Sequence, residues 1–464
     1  MVNPTHNRYI NWTLALYFGW LLSFPFYGPV LAVALPADFA GSFSPALIFA
    51  FFHAISLLLG GILLKNTALW KKLMLWSLAA TIAVNAILLF PSARLWPWGM
   101  ALLGASSAIY ILGWSYPYTV SIPVTGRMRQ MASIIIGANL ISIFFNYISA
   151  VISPGLTLAL ATAPLFTALA VLLRSPADPD HVLPSRKAVS LPSPLILIFC
   201  LFIAGLYLNG GFMHIIIFPF LETDMPFYHY ISTLPYIAVL LLLRHFGTRL
   251  QRYFPVYMGV TLLGMAFVSF ALLDKITAGL FLTETLMGAA FALLDLFVWT
   301  TLGDLAFIYG APFLIFGLAN AATVSSIIAG DLIGSKLLQI GETHRLVTAV
   351  FAAAAIFSAF AVIPWLNERI NKDLSAFKKK SEEESPVEAV TKSLPPKQRL
   401  TPRETEITVL ILKGITNKEI AKQLFISENT LKTHLKHIFS KFGVSNKRGL
   451  LTLAAQKEND NTGI

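Results

Sequence analysis

Five side chains near the C-terminus share one side of what reads as a helix: Asn429, Lys432, Thr433, Lys436 and Ser440. The other side carries Leu431, Leu435, Ile438 and Phe442, recurring at four, three and four residues as a core stripe does. The polar side holds two lysines, several hydrogen-bonding groups and no acid. Duplex DNA has the matching chemistry: phosphates that lysines neutralise, and a major groove wide enough for one helix. A merely solvated basic face would use the same residue types, so the helix alone leaves both readings open.

A second polar set sits where polarity is costly. Glu284, Asp295 and Trp299 fall in one apolar run with Asp304 near its end; Asn320 and Asp331 fall in the next, and His214 and His53 in two others. Ionisable groups inside a bilayer are expensive and by default suggest function. They could form a polar pocket around Glu284 and Asp295 that binds a small molecule. They could equally pair with one another or with backbone and hold helices together, the role that suits the two histidines better. Asn209-Gly210-Gly211 would loosen the run that holds His214, which favours a cavity there. No metal-ligand spacing, Gly-rich phosphate loop or nucleophile arrangement is visible, so neither an enzyme nor a cofactor is expected.

Composition explains why these acids stand out. Of 464 residues, 56% are hydrophobic and only 12% charged, where soluble proteins carry roughly 25%. That excludes an ordinary soluble enzyme and a disordered or disulfide-built chain; the single Cys200 lies in an apolar run and reads as buried. Twelve runs long enough to cross a bilayer fall at about 10–35, 44–64, 73–91, 96–120, 131–150, 153–173, 193–219, 229–243, 254–273, 278–301, 311–335 and 346–366. The first is too long for a signal peptide and reads as a retained span. The longest polar break, Arg174 to Ser190, follows the sixth run and divides residues 1–369 into halves of about 1–173 and 193–369. With the N-terminus inside, twelve Lys/Arg, among them Lys71, Lys72, Arg127 and Arg129, fall in inner loops, and four (Arg94, Lys275, Lys336 and Arg345) in outer ones. That bias puts both termini in the cytoplasm.

Residues 370–396, with Lys378-Lys379-Lys380, Glu382-Glu383-Glu384 and Pro395-Pro396, read as a solvated, partly extended linker. Residues 397–464 then hold 12 Lys/Arg and 6 Asp/Glu, more than half of the chain's net +11. Four short helices are expected there. Thr401-Pro402-Arg403-Glu404 opens the first, and Thr416-Asn417-Lys418-Glu419 is a capping box opening the second. Ser427 caps the third, which runs to Gly443, and Ser445 starts the fourth. The turn from Leu424 to Ser427 is what a helix-turn-helix needs.

The stretch LTPRETEITVLILKGITNKEIAKQLFISENTLKTHLKHIFSKFGVSNKRGLL resembles, over about 50 residues without a gap, the helix-turn-helix of the LuxR/NarL family of bacterial transcription regulators. LTPRE, NKEIA, TLKTH and KFGVSNK carry the likeness, with Phe442 where the family usually has Leu. The resemblance implies that Lys432, Thr433 and Lys436 face bases, and that Thr416, Asn417, Lys418, Thr430 and His434 contact phosphate. His434 could instead be a structural residue at the helix edge. The last helix, Asn446 to about Gln456, would be the contact of a homodimer on DNA. Upstream there is no room for a phosphate-accepting receiver domain, so the bundle is the expected input.

Twelve spans in two halves resemble the major facilitator architecture. Transporters of that class carry Gly, Asp and Arg between spans two and three, whereas Leu64 to Lys72 is basic without Asp or Gly, which puts active transport in doubt. The expectation is an all-α protein: a twelve-helix transmembrane bundle in the bacterial inner membrane, followed by a small four-helix domain. It would be a membrane-bound one-component regulator whose partners are double-stranded DNA, the lipid bilayer, an unknown small-molecule ligand and a second copy. The alternative is a major-facilitator secondary transporter with a regulatory DNA-binding tail.

Overall fold

The computed structural model describes residues 4–175, 194–219, 233–339, 344–383 and 400–453, apart from loop positions 27, 37–38, 40–42, 91, 248–249, 252, 274–275, 413–414 and 425. The described elements are helical throughout, and the chain divides into two compact units, Met1–Ile370 and Asn371–Ile464.

In the first unit the apolar runs become helices close to their expected bounds. In chain order they are α1 (Pro4–Ser23), α2 (Pro29–Ala34), α3 (Pro45–Leu63), α4 (Trp70–Leu88), α5 (Trp96–Ser121), α6 (Val124–Val151), α7 (Pro154–Ala161) and α8 (Ala163–Arg174). The second half supplies α9 (Pro194–Phe212), α10 (Leu234–Phe246), α11 (Phe254–Leu273), α12 (Thr277–Tyr309), α13 (Pro312–Leu337) and α14 (His344–Glu383). Among the described residues, nine helical segments are long and apolar enough to cross a membrane. Large side chains such as Trp76, Trp98, Leu272 and Phe357 point outward. A bundle whose outer face is this apolar suits hydrocarbon, where the helix satisfies its own backbone.

Two runs that read as single spans are interrupted, although the sixth still forms one membrane-length segment, Pro154–Arg174. The first divides into α1 and α2, because Pro25 and Pro29 each lack the N–H that would continue the ladder. The sixth divides at Thr162, just before Pro164, into α7 and α8. Most of the polar break after Arg174, and the start of the eighth run, lie outside the described residues. Past Asn209-Gly210-Gly211, α9 continues as a π-helical turn, Met213–Ile217, which contains His214.

The halves meet along α3–α13, α5–α13, α6–α10 and α6–α12. At the α3–α13 crossing a Cβ on Gly317 would lie 2.6 Å from the Gly61 Cα, so the two backbones touch where both residues lack side chains.

The expected linker is partly a helix instead. α14 runs without a break to Glu383, because residues 365–383 contain no proline or glycine and Pro386 is the first residue that would stop it. The remainder, 384–399, lies outside the described residues.

The second unit contains α15 (Pro402–Leu412), α16 (Asn417–Gln423), α17 (Glu428–Phe442) and a last helix over 447–453. Their inward side chains, Ile407, Ile411, Ile420, Ala421, Leu431, Leu435, Ile438, Phe442 and Leu450, form one core. The expected continuation of the last helix to about Gln456 lies outside the described residues.

Candidate nucleic-acid interface and membrane cavity

Local capping sets where each helix of the second unit begins. The Glu404 N–H donates to the Thr401 hydroxyl at 3.2 Å and the Thr401 N–H returns a bond to Glu404 at 2.7 Å, a complete capping box on α15. Thr416 and Glu419 make the same reciprocal box on α16. On α17 the Thr430 N–H donates to the Ser427 hydroxyl at 3.0 Å, and Gly443, at φ 65°, takes the left-handed conformation that ends the helix. The last helix is capped by Asn446 rather than Ser445, its side-chain oxygen accepting the Gly449 N–H at 2.9 Å. Asn can reach the N–H three residues on from the position immediately before the helix, which Ser445 does not occupy.

Three cations of this unit are spent internally. Lys441 pairs with the buried Glu404 at 2.6 Å, Arg403 donates to the Leu424 carbonyl at 2.5 Å and pins the turn, and Lys447 donates to the Ile415 carbonyl at 2.6 Å. Burial raises the Glu404 pKa, but the Lys441 bond and the Thr401 donors outweigh it and hold the carboxyl below the usual range. The Thr416 hydroxyl and backbone N–H likewise hold Glu419 low. These pairings join residues up to 37 positions apart and had no signal in sequence.

What remains outward is the expected surface. Lys432, Thr433 and Lys436 are exposed along α17, opposite buried Leu431, Leu435 and Ile438. Thr416, Asn417, Lys418 and Thr430 are exposed at the starts of α16 and α17, and His434 is half-buried at the edge. Thr433 donates its hydroxyl to the Asn429 carbonyl at 3.2 Å. The Thr416 hydroxyl is engaged with Glu419 at 2.8 Å, so its side chain already has a partner. His437, also exposed on α17, was not singled out from the sequence.

In the bundle, Glu284, Asp295, Trp299, Asn320 and His214 line one cavity of about 730 Å³ together with His53. Asp331 does not line it. That side chain is buried where α9 and α13 are pressed together: a Cβ on Gly211 would lie 2.5 Å from the Asp331 nitrogen. Asp295 accepts hydrogen bonds from the Tyr207 hydroxyl on one oxygen and from the Tyr236 hydroxyl on the other, the latter at 2.6 Å. Neither tyrosine was identifiable beforehand, since they stand 88 and 59 residues away on α9 and α10. His53 bonds the Gly104 carbonyl at 3.2 Å and stacks on Phe49, while Asn320 donates to the Phe316 carbonyl of its own helix at 2.9 Å. Trp299 packs edge-on against Phe18 and Trp114. Arg127, grouped above with loop charges, is instead buried against Asp304, the acid whose charge makes that burial tolerable.

Residues 398–454 match the model of the family described as bacterial regulatory proteins, luxR family. Over this region the chain is 52% identical across 52 residues to the transcriptional regulatory protein LiaR of Bacillus subtilis, covering 11% of this chain and 25% of that one. It is 50% identical across 62 residues to the CsgBAC operon transcriptional regulatory protein of Escherichia coli, covering 13% and 27%. The chain thus spans about a quarter of the length of these relatives, and only 7% of that of some others. The bundle is similar to crystal structures of two transporters. With the human organic anion transporter MFSD10 it shares 13% identity and a TM-score of 0.59, over 77% of this chain and 100% of that one. With a bacterial homologue of the iron transporter ferroportin the values are 14% and 0.56, over 78% and 98%. At such identities the likeness is one of fold. The C-terminal unit therefore contains a LuxR-type helix-turn-helix DNA-binding domain, and the helices before it form a multi-pass membrane bundle of transporter fold.

Proposed function

We propose that this chain, a LuxR-type helix-turn-helix carried on a transporter-fold bundle, is a membrane-bound one-component transcription regulator. A small ligand entering the cavity around Asp295 shifts the bundle between two states, and the shift changes DNA access or dimerisation of the tethered domain. The bundle crosses the bacterial inner membrane twelve times with both termini in the cytoplasm, where the chromosome is. Lys432, Thr433 and Lys436 read bases, while Thr416, Asn417, Lys418, Thr430 and His434 meet phosphate. The last helix pairs two copies on DNA, and no catalysis is assigned to either unit.

The observation that carries this reading is the two-sidedness of α17. Its apolar face is the core of the domain and its opposite face leaves Lys432, Thr433 and Lys436 exposed, with the cations that could have been structural already paired elsewhere. Chromatin capture of the intact protein, with and without Lys432→Ala and Lys436→Ala together, tests it. Enriched sites that vanish in the double variant are expected; sites and target transcription unchanged by it would sink the reading.

The transporter likeness and the cavity favour a second reading, a secondary transporter whose DNA-binding tail regulates it. Substrate uptake by vesicles containing the chain truncated after Glu383 would favour that alternative.

A further inference from the structure

The cavity has a charge character that the regulator reading does not use. Its described lining contains two carboxylates, Asp295 and Glu284, and no lysine or arginine. Both project from α12, eleven residues and so about 16 Å apart along the axis. Phe291 stands between them and Trp299 four residues past Asp295, all on the cavity side. One helix face thus presents acid, aromatic, acid, aromatic in succession.

The other wall fixes the central acid. The Tyr207 and Tyr236 hydroxyls donate one to each oxygen of Asp295, and the Tyr207 ring lies 6.2 Å from Phe291. An ionised carboxylate is an acceptor-only group, and a hydroxyl donor on each oxygen suits that form of Asp295. An anionic ligand would be disfavoured by this acidic wall, and a neutral apolar one would gain nothing from its two carboxyl groups. A cation with an apolar body gains from both features, because Coulomb attraction is strengthened away from water and aromatic faces attract positive charge.

We propose that the cavity binds a small organic cation, an amine or a quaternary onium ion with an apolar body, its charge at Asp295 and its body against Phe291 and Trp299. The binding itself stands on this geometry; its consequence for transcription rests on the regulator reading.

Full-length protein in nanodiscs is tested with tritiated tetraphenylphosphonium, and in separate samples with tetraphenylborate, the anion of the same shape. Saturable binding of the cation is expected, at least tenfold weaker in Asp295→Asn and recovered in Asp295→Glu, with a raised Tm from the cation and none from the anion. Glu284→Gln is the second variant, expected to weaken binding about threefold, and decides the matter if Asp295→Asn does not elute as a folded protein. No saturable cation binding, equal stabilisation by the anion, or wild-type affinity in the folded variants would overturn the proposal. If cation binding fails while the Lys432 and Lys436 effect on DNA occupancy persists, only the ligand class is lost. If the DNA effect fails and cation binding persists, the regulator reading is lost and the site stands.

Discussion

Arg127 and Asp304 form an ion pair inside the bundle, their side chains only 2% and 5% exposed. Arg127 lies at the start of α6 and Asp304 near the end of α12, so the pair ties the first half of the bundle to the second. Two further donors of the guanidinium go to the Thr119 carbonyl at 2.8 Å and the Ile122 carbonyl at 3.1 Å, and the group sits over the Phe307 ring. A buried charge survives only when paired and hydrogen-bonded in this way.

Removing one partner should therefore cost more than removing both. Asp304→Ala is expected to destabilise the bundle by about 3–5 kcal/mol, because it strands the Arg127 charge, whereas the double change Arg127→Met with Asp304→Leu should come close to neutral. Thermal unfolding of the purified protein, followed by loss of monodisperse elution, separates the two. Equal losses would show that the pair does not act as a unit.

The α3–α13 crossing makes a steric prediction. Gly317→Leu has no room, since even a Cβ would lie 2.6 Å from both the Gly61 Cα and the Leu57 carbonyl oxygen. The folded yield should collapse, while Gly155→Ala, which meets nothing within 4 Å, should leave it unchanged.

DNA affinity should divide by the role of each lysine. Lys436→Ala is expected to weaken specific binding by about 1–3 kcal/mol with relaxed preference at one base pair, as loss of a base contact does. Lys418→Ala should weaken all sequences alike and reduce the salt dependence of log K by about one unit of slope. Fluorescence anisotropy of the full chain in nanodiscs, titrated at several salt concentrations, reads both.

Glu404 makes the C-terminal domain sensitive to acid. Its folded pKa is lowered, so its contribution is present above the ordinary carboxylate value near 4.5 and is lost as pH falls through the lower folded value. Glu404→Gln should remove that part of the acid dependence and cost about 1–2 kcal/mol at neutral pH, discounted because Lys441 is partly solvated. Hydrogen exchange of the α15 and α17 amides between pH 3 and pH 7 would detect it, and an unchanged acid profile in the variant would refute it.

How much of this was legible beforehand follows from which forces act locally. Helix positions in the bundle follow from apolar runs of bilayer length, and the breaks at Pro25 and Pro164 could have been read from the missing N–H. In the C-terminal domain, Thr401, Thr416 and Ser427 cap their helices through residues three positions away, and the 3.6-residue period separates Leu431 and Leu435 from Lys432 and Lys436. These are interactions within a turn or two, so residue order alone determined them.

Tertiary structure decided the rest. Spans that are apolar on every side carry no periodic signal for which face meets which neighbour, so Asp295 could be marked as costly but not matched with Tyr207 and Tyr236. The same holds for Arg127 with Asp304 and Glu404 with Lys441, each joined across a packing contact that helix docking creates. Five of the six intramembrane candidates converge on one cavity, and Asp331 is left out because Gly211 lets α9 press against α13 there. The types and helical positions of the chemically active groups were written in the chain; their partners depended on how the helices pack.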